Sequence, residues 1–209
     1  MTPDNPIPAQ RRSPHQEIPA HHGSPRHTTP AQRMIALGIV QAGSPALQKR
    51  ARPFVLPHEA AAARETIRRV RAAMDRVARA HQFAKGMGMA APQIGIDRAV
   101  TVIRTGNQEL VLLNPRVVDR SGDCDTLFEG CLSFFDVRGE VVRAARVTVE
   151  HRRLDGVVET SRFDGGLARH VQHEIDHLEG RLYTDRMPAG TDVIPLSEYQ
   201  GTGRPWGDR

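Results

Sequence analysis

Gln172-His173-Glu174-Ile175-Asp176-His177-Leu178-Glu179-Gly180 is the stretch on which the reading of this 209-residue chain turns. Histidines four positions apart stand one helical turn apart on a shared face, so both imidazoles can reach one metal ion. Glu174 stands three residues before His177 and projects beside the same ion, where it can handle the proton of a bound water. Leu167, Val171, Ile175 and Leu178 form an apolar face along a helix from about Gly166 to Gly180. That face would anchor the helix in the core and give the ligands the rigidity they need.

An earlier periodic segment runs from about His58 to Gln82. Ile67, Val70, Met74 and Val77 fall at steps of three and four, with arginine and glutamate opposite. Pro57 suits its start, and Gly86 lies beyond its end. Between the two helices, Ala99–Arg104 and Glu109–Val118 read as strands joined through Gly106-Asn107. Val141–Leu154 and Val157–Phe163 read as a second pair, turning at Asp155-Gly156. Helix, antiparallel strands, helix is an α+β order and not a wound parallel sheet. The architecture expected is therefore antiparallel and mixed β-sheets packed around a central helix carrying H-E-x-x-H, with one longer helix nearer the amino terminus.

Composition sets the outer limits. The length suits one domain with tails. Apolar residues at 39% and charged residues at 25% support a real core, and aromatics at only 4% make it mainly aliphatic. The net charge of +5 is nearly all arginine, since Lys49 and Lys85 are the only lysines. Arginines interspersed with acids indicate a mixed surface, and no specific nucleic-acid binding is expected. No apolar run approaches the roughly 18–20 residues of a membrane span. Cys124 and Cys131 are too few for a disulfide scaffold, which points to a reducing compartment.

Residues 1–33 hold seven prolines and four histidines and almost nothing aliphatic, so they are expected to be a disordered extension. No apolar signal-peptide segment follows the early basic residues, and the prolines interrupt any amphipathic transit helix. Cytoplasmic location is expected, and organelle targeting is disfavoured. Met34, directly before the first aliphatic stretch, is an alternative start. Pro188, Gly190, Pro195, Gly201, Gly203 and Pro205 suggest a loose tail over residues 188–209.

A catalytic divalent site commonly has three protein ligands and one open position. One class of zinc peptidases takes a glutamate some way after the second histidine; here Glu198 lies at that distance, in the Pro/Gly-rich tail. Another class ends its longer motif on a histidine, where this chain has Tyr183. The alternative is Cys131, within Glu129-Gly130-Cys131-Leu132-Ser133 at the end of a short apolar strand. Its thiolate opposite two imidazoles makes a Cys/His/His site.

At this point the chain resembles the peptide deformylase family. Three motifs carry the resemblance, in order: Gly86-Met87-Gly88-Met89-Ala90-Ala91-Pro92-Gln93, then Glu129–Ser133, then Gln172–Gly180. Pro45–Pro53 adds a likeness to the family's amino-terminal pattern, and the resemblance covers roughly residues 34–187. It implies a catalytic domain over that span, with Cys131, His173 and His177 as metal ligands. Ferrous iron is implied as the native cofactor, with zinc or nickel in preparations, and with loss of activity on oxidation of the iron or Cys131. The implied reaction is hydrolysis of the formyl group from N-formylmethionyl nascent peptides, releasing formate. Metal-bound water is the implied nucleophile, with Glu174 as general base and then acid. Gln93 and the backbone N–H of Leu132 would share the charge on the carbonyl oxygen, and Gly88 and Gly130 would contact peptide backbone. Transient ribosome contact would follow from such a substrate.

Further residues carry expectations of their own. The glycine run imitates a dinucleotide fingerprint, but a helix precedes it where that fingerprint needs a strand. Cys124 reads as an inert thiol, Asp176 and Arg143 as a candidate ion pair, and His170 as helix surface or pocket rim. Arg138 is a candidate for contacting substrate backbone beyond the methionine. Phe134-Phe135 depart from the family's commoner aliphatic–proline pair and bear on the shape of the peptide groove. Two rival readings remain: a zinc endopeptidase using Glu198 or Tyr183, and a binding protein associating with RNA through its basic balance.

Overall fold

A computed structural model describes residues 28–199, apart from 82, 84, 85 and 107. Helix α1 (Pro30–Ala36) opens under Thr29, whose hydroxyl accepts from Gln32 N while Gln32 reaches back to the Thr29 amide. Helix α2 spans Ala60–Ala80 and buries Ala63, Ile67, Val70, Met74 and Val77. Helix α3 spans Gly165–Leu178 and is buried continuously from Val171 to Leu178.

The strands are β1 (Met87–Ala90), β2 (Val100–Thr105), β3 (Gln108–Arg120), β4 (Cys124–Cys131), β5 (Phe134–Ala144), β6 (Arg146–Arg152), β7 (Val158–Asp164) and β8 (Ile194–Pro195). One sheet runs β1-β2-β3-β6-β7 and the other β4-β5-β8. Every pairing among the described residues is antiparallel, so the mixed pairing expected from sequence does not occur.

Strand alternation decides what covers each face of the larger sheet. Met87, Met89, Val100, Val102 and Leu113 join α2 in one apolar cluster. Ile103, Leu112, Val147, Val149 and Phe163 join Ala168, Val171 and Ile175 of α3 in another. The two long helices thus lie on opposite faces, and Gly88, between Met87 and Met89, faces α3. Asn114 sits at an irregularity in β3 with φ of 50°. Its side chain clamps Phe54, accepting from the amide and donating to the carbonyl, each at 2.8 Å.

Several boundaries differ from expectation. The glycine run, for which the sequence predicts no strand, contains the edge strand β1, followed by a 3₁₀ turn at Ala91–Ile94. Val141–Leu154 is not one strand, because the chain bends at Ala145 between β5 and β6. Residues 30–33, read with the amino-terminal extension, form the start of α1, and residues 1–27 lie outside the described residues. The tail expected to be loose is tied down as far as Tyr199. Ile194 and Pro195 pair with Arg138 and Val137, and Leu196 N donates to Asp136 O at 2.7 Å. Residues 200–209 lie outside the described residues.

Candidate metal centre and cleft

Cys131 ends β4, and His173 and His177 come from the last turns of α3. Their ligand atoms lie within 4.8 Å of one another, and all three residues are buried. Cys131 Sγ is 3.1 Å from His177 Nε2, and the two imidazole centroids are 5.2 Å apart. Burial alone would raise the Cys131 thiol pKa, but the His177 and His173 rings hold it well below its usual value. Burial likewise opposes charge on His173, and Cys131 and Glu129 outweigh it, holding the imidazole well above its ordinary range. A thiolate and two imidazoles converging in a buried space form a donor set suited to a borderline divalent cation such as Zn²⁺ or Fe²⁺.

Behind these groups runs a chain of buried charges. Glu129 Oε2 accepts from His173 Nδ1 at 2.9 Å, which leaves Nε2 as the nitrogen available to an ion. The same carboxylate receives Arg143 Nε and Nη2 at 3.0 and 2.9 Å and Arg169 Nη1 at 2.7 Å. Burial would raise the Glu129 pKa, yet His173 and Arg143 hold it far below the usual carboxylate value. Arg143 Nη1 also pairs with Asp176, which Arg186 Nη2 grips at 2.7 Å. The ion pair expected from Asp176 and Arg143 is therefore one link in a longer series joining β4, β5, α3 and the turn at Tyr183–Arg186.

Glu174 is buried beside the candidate ligands, and its Oε2 has no hydrogen-bond partner among the described residues. Burial raises its pKa to about 7, the range in which a carboxyl group can both accept and release a proton near neutrality. Its position depends on Gly88, where a β-carbon would fall 2.6 Å from Glu174 Cδ. Gly130 makes similar room, since a β-carbon there would stand 2.5 Å from Arg138 Nε.

Gln93 is buried, with Oε1 accepting from Ala90 N at 2.8 Å. Its Nε2 donates toward Ser133 Oγ at 3.3 Å and Cys131 Sγ at 3.6 Å. Gly88, Gln93, Gly130, Cys131, Leu132, His173 and Glu174 all line one cleft of about 320 Å³, while His177, in contact with Cys131, does not line it. His170 and Arg138 also line that cleft. Phe135 is buried against it, whereas Phe134 lies outside and faces Tyr183 across 6.3 Å.

The residues of the rival peptidase readings are not in the ligand group. Glu198 is exposed, and Tyr183 stacks on His173 with centroids 6.2 Å apart. Both cysteines are free thiols, Cys124 exposed and Cys131 buried. Sequence reasoning missed Glu129 as the acceptor for His173, and missed Arg169, Phe128 and Tyr199. Arg169 left a signal, since it lies one helical turn before His173 on a helix of buried residues.

The profile of the polypeptide deformylase family matches residues 36–192. A peptide deformylase of Acidobacterium capsulatum is 40% identical over 163 residues, covering 75% of this chain and 89% of that protein. The crystal structure of a peptide deformylase from Thermotoga maritima superposes with TM-score 0.63 at 33% identity, covering 72% of this chain and 96% of that one. A Met-Ala-Ser-bound class I type b peptide deformylase from Acinetobacter baumannii superposes with TM-score 0.62 at 30% identity, covering 71% and 96%.

Proposed function

This chain belongs to the peptide deformylase family, and we propose that it hydrolyses the N-formyl group of formylmethionyl peptides at the start of nascent proteins. The catalytic domain is taken as residues 34–187, with α3 as its central helix. Cys131, His173 and His177 would hold one divalent cation, ferrous iron in the native protein and zinc or nickel in some preparations. A cation there supplies Lewis acidity to the formyl carbonyl and lowers the pKa of water toward neutrality.

The remaining steps belong to the protein's own groups. Glu174 takes the proton of the attacking water and later delivers it to the departing amine, roles that suit a pKa of about 7. Gln93 Nε2 and the backbone N–H of Leu132 donate to the carbonyl oxygen as negative charge builds on it. A C–O bond forms and the C–N bond breaks, giving formate and a free amino terminus. The peptide lies extended along the outer edge of β1, with Gly88 and Gly130 allowing its backbone to approach. The setting is the cytoplasm, with transient contact at the ribosome.

The observation carrying this reading is the set of three candidate ligand atoms within 4.8 Å of one another, beside a buried carboxylate whose Oε2 has no partner among the described residues. Formate release from formyl-Met-Ala-Ser, assayed anaerobically, tests it. Glu174→Ala is expected to keep its metal and lose about 10²–10⁴ in turnover. Turnover retained in that variant would overturn the mechanism.

A further inference from the structure

We propose that Tyr199 is a specificity-determining residue, whose ring forms with Phe128 an aromatic wall receiving the third residue of the peptide. The inference rests on the deformylase reading and extends it along the cleft. Tyr199 comes from the segment that composition marked as loose. That segment is held by the β5–β8 pairing and closed by a turn in which Glu198 N and Tyr199 N both donate to Pro195 O, at 3.0 and 3.2 Å. The Tyr199 and Phe128 rings face each other with centroids 5.5 Å apart and planes 51° apart. Both line the same cleft as Cys131, His173 and Glu174.

Spacing selects the position read. Phe128 precedes Cys131 by three residues of extended chain, about 10 Å at the usual rise per residue. An extended peptide whose formyl group sits at the ligands covers the same distance by its third residue. Arg138 fixes the polarity of this end of the cleft. Its Nη1 donates to Phe135 O and Val137 O at 3.0 and 2.7 Å, and it forms no ion pair among the described residues. A third residue bearing an aromatic ring would therefore meet two rings, whereas lysine would meet a guanidinium of like charge.

Formate release is measured with the metal-loaded full chain on formyl-Met-Ala, formyl-Met-Ala-Phe and formyl-Met-Ala-Lys. Wild type is expected to show the lower KM for the phenylalanine tripeptide. Tyr199→Ala should raise that KM about three- to tenfold. Its kcat should not change, nor should its KM for the dipeptide, which ends short of the wall. Tyr199→Phe, which keeps the ring, should behave as wild type. If Tyr199→Ala leaves the KM ratio of the two tripeptides unchanged, the wall has no such role. If wild type releases no formate from any of the three, the deformylase reading fails and takes this inference with it.

Discussion

Gly88 and Glu174 meet across the face of the larger sheet that α3 covers, and the contact leaves no room for a β-carbon. Gly88→Ala must displace the carboxylate, and if Glu174 is the proposed general base, a shift of about 1 Å there costs on the order of 10²-fold. Steady-state kinetics should show that loss in kcat while circular dichroism stays unchanged. Cys131→Ala removes one of three candidate ligands. Elemental analysis should find the metal lost, whereas Glu198→Ala should retain it and keep wild-type activity. The candidate ligand set was legible in the sequence, because four-residue helical spacing marks His173 and His177 and the Glu129–Ser133 motif marks Cys131, and the structure brings their donor atoms within 4.8 Å of one another. Glu129 as a shared acceptor was not legible: its partners Arg143, Arg169 and His173 lie far along the chain and meet only in the folded protein.

Among the elements, α2 and α3 were readable because their buried positions repeat at helical spacing. Strand β1 was not, since Met-Gly-Met-Ala contains no β-branched residue. It is extended because β2 pairs with it residue for residue, while Met87 and Met89 bury on the α2 side. Strand β8 was hidden by its flanking prolines and glycines, which mimic a tail. A buried charged link between elements is Arg143, held between Glu129 of β4 and Asp176 of α3. Replacing it with leucine leaves two buried carboxylates short of a partner and should destabilise the fold by about 3–5 kcal/mol in urea unfolding.

For the molecule as a whole, acid should act through the same charges. Burial would raise the Asp176 pKa, but Arg186 and Arg143 hold it below its ordinary value. Its contribution to stability is therefore complete above the unfolded-state pKa of about 3.9 and is lost as pH falls through the lower folded-state value. Melting temperature followed from pH 7 downward should drop steeply below about pH 4 in wild type, and Asp176→Asn should flatten that limb. Cys131 and His177 stand 46 positions apart in sequence, yet their ligand atoms are 3.1 Å apart. An ion held by both would act as a reversible cross-link. Because the two groups come together only in the folded chain, the free energy of holding the ion adds directly to the free energy of folding. A chelator should therefore lower the melting temperature as well as stop turnover, and returning the ion in excess should restore both.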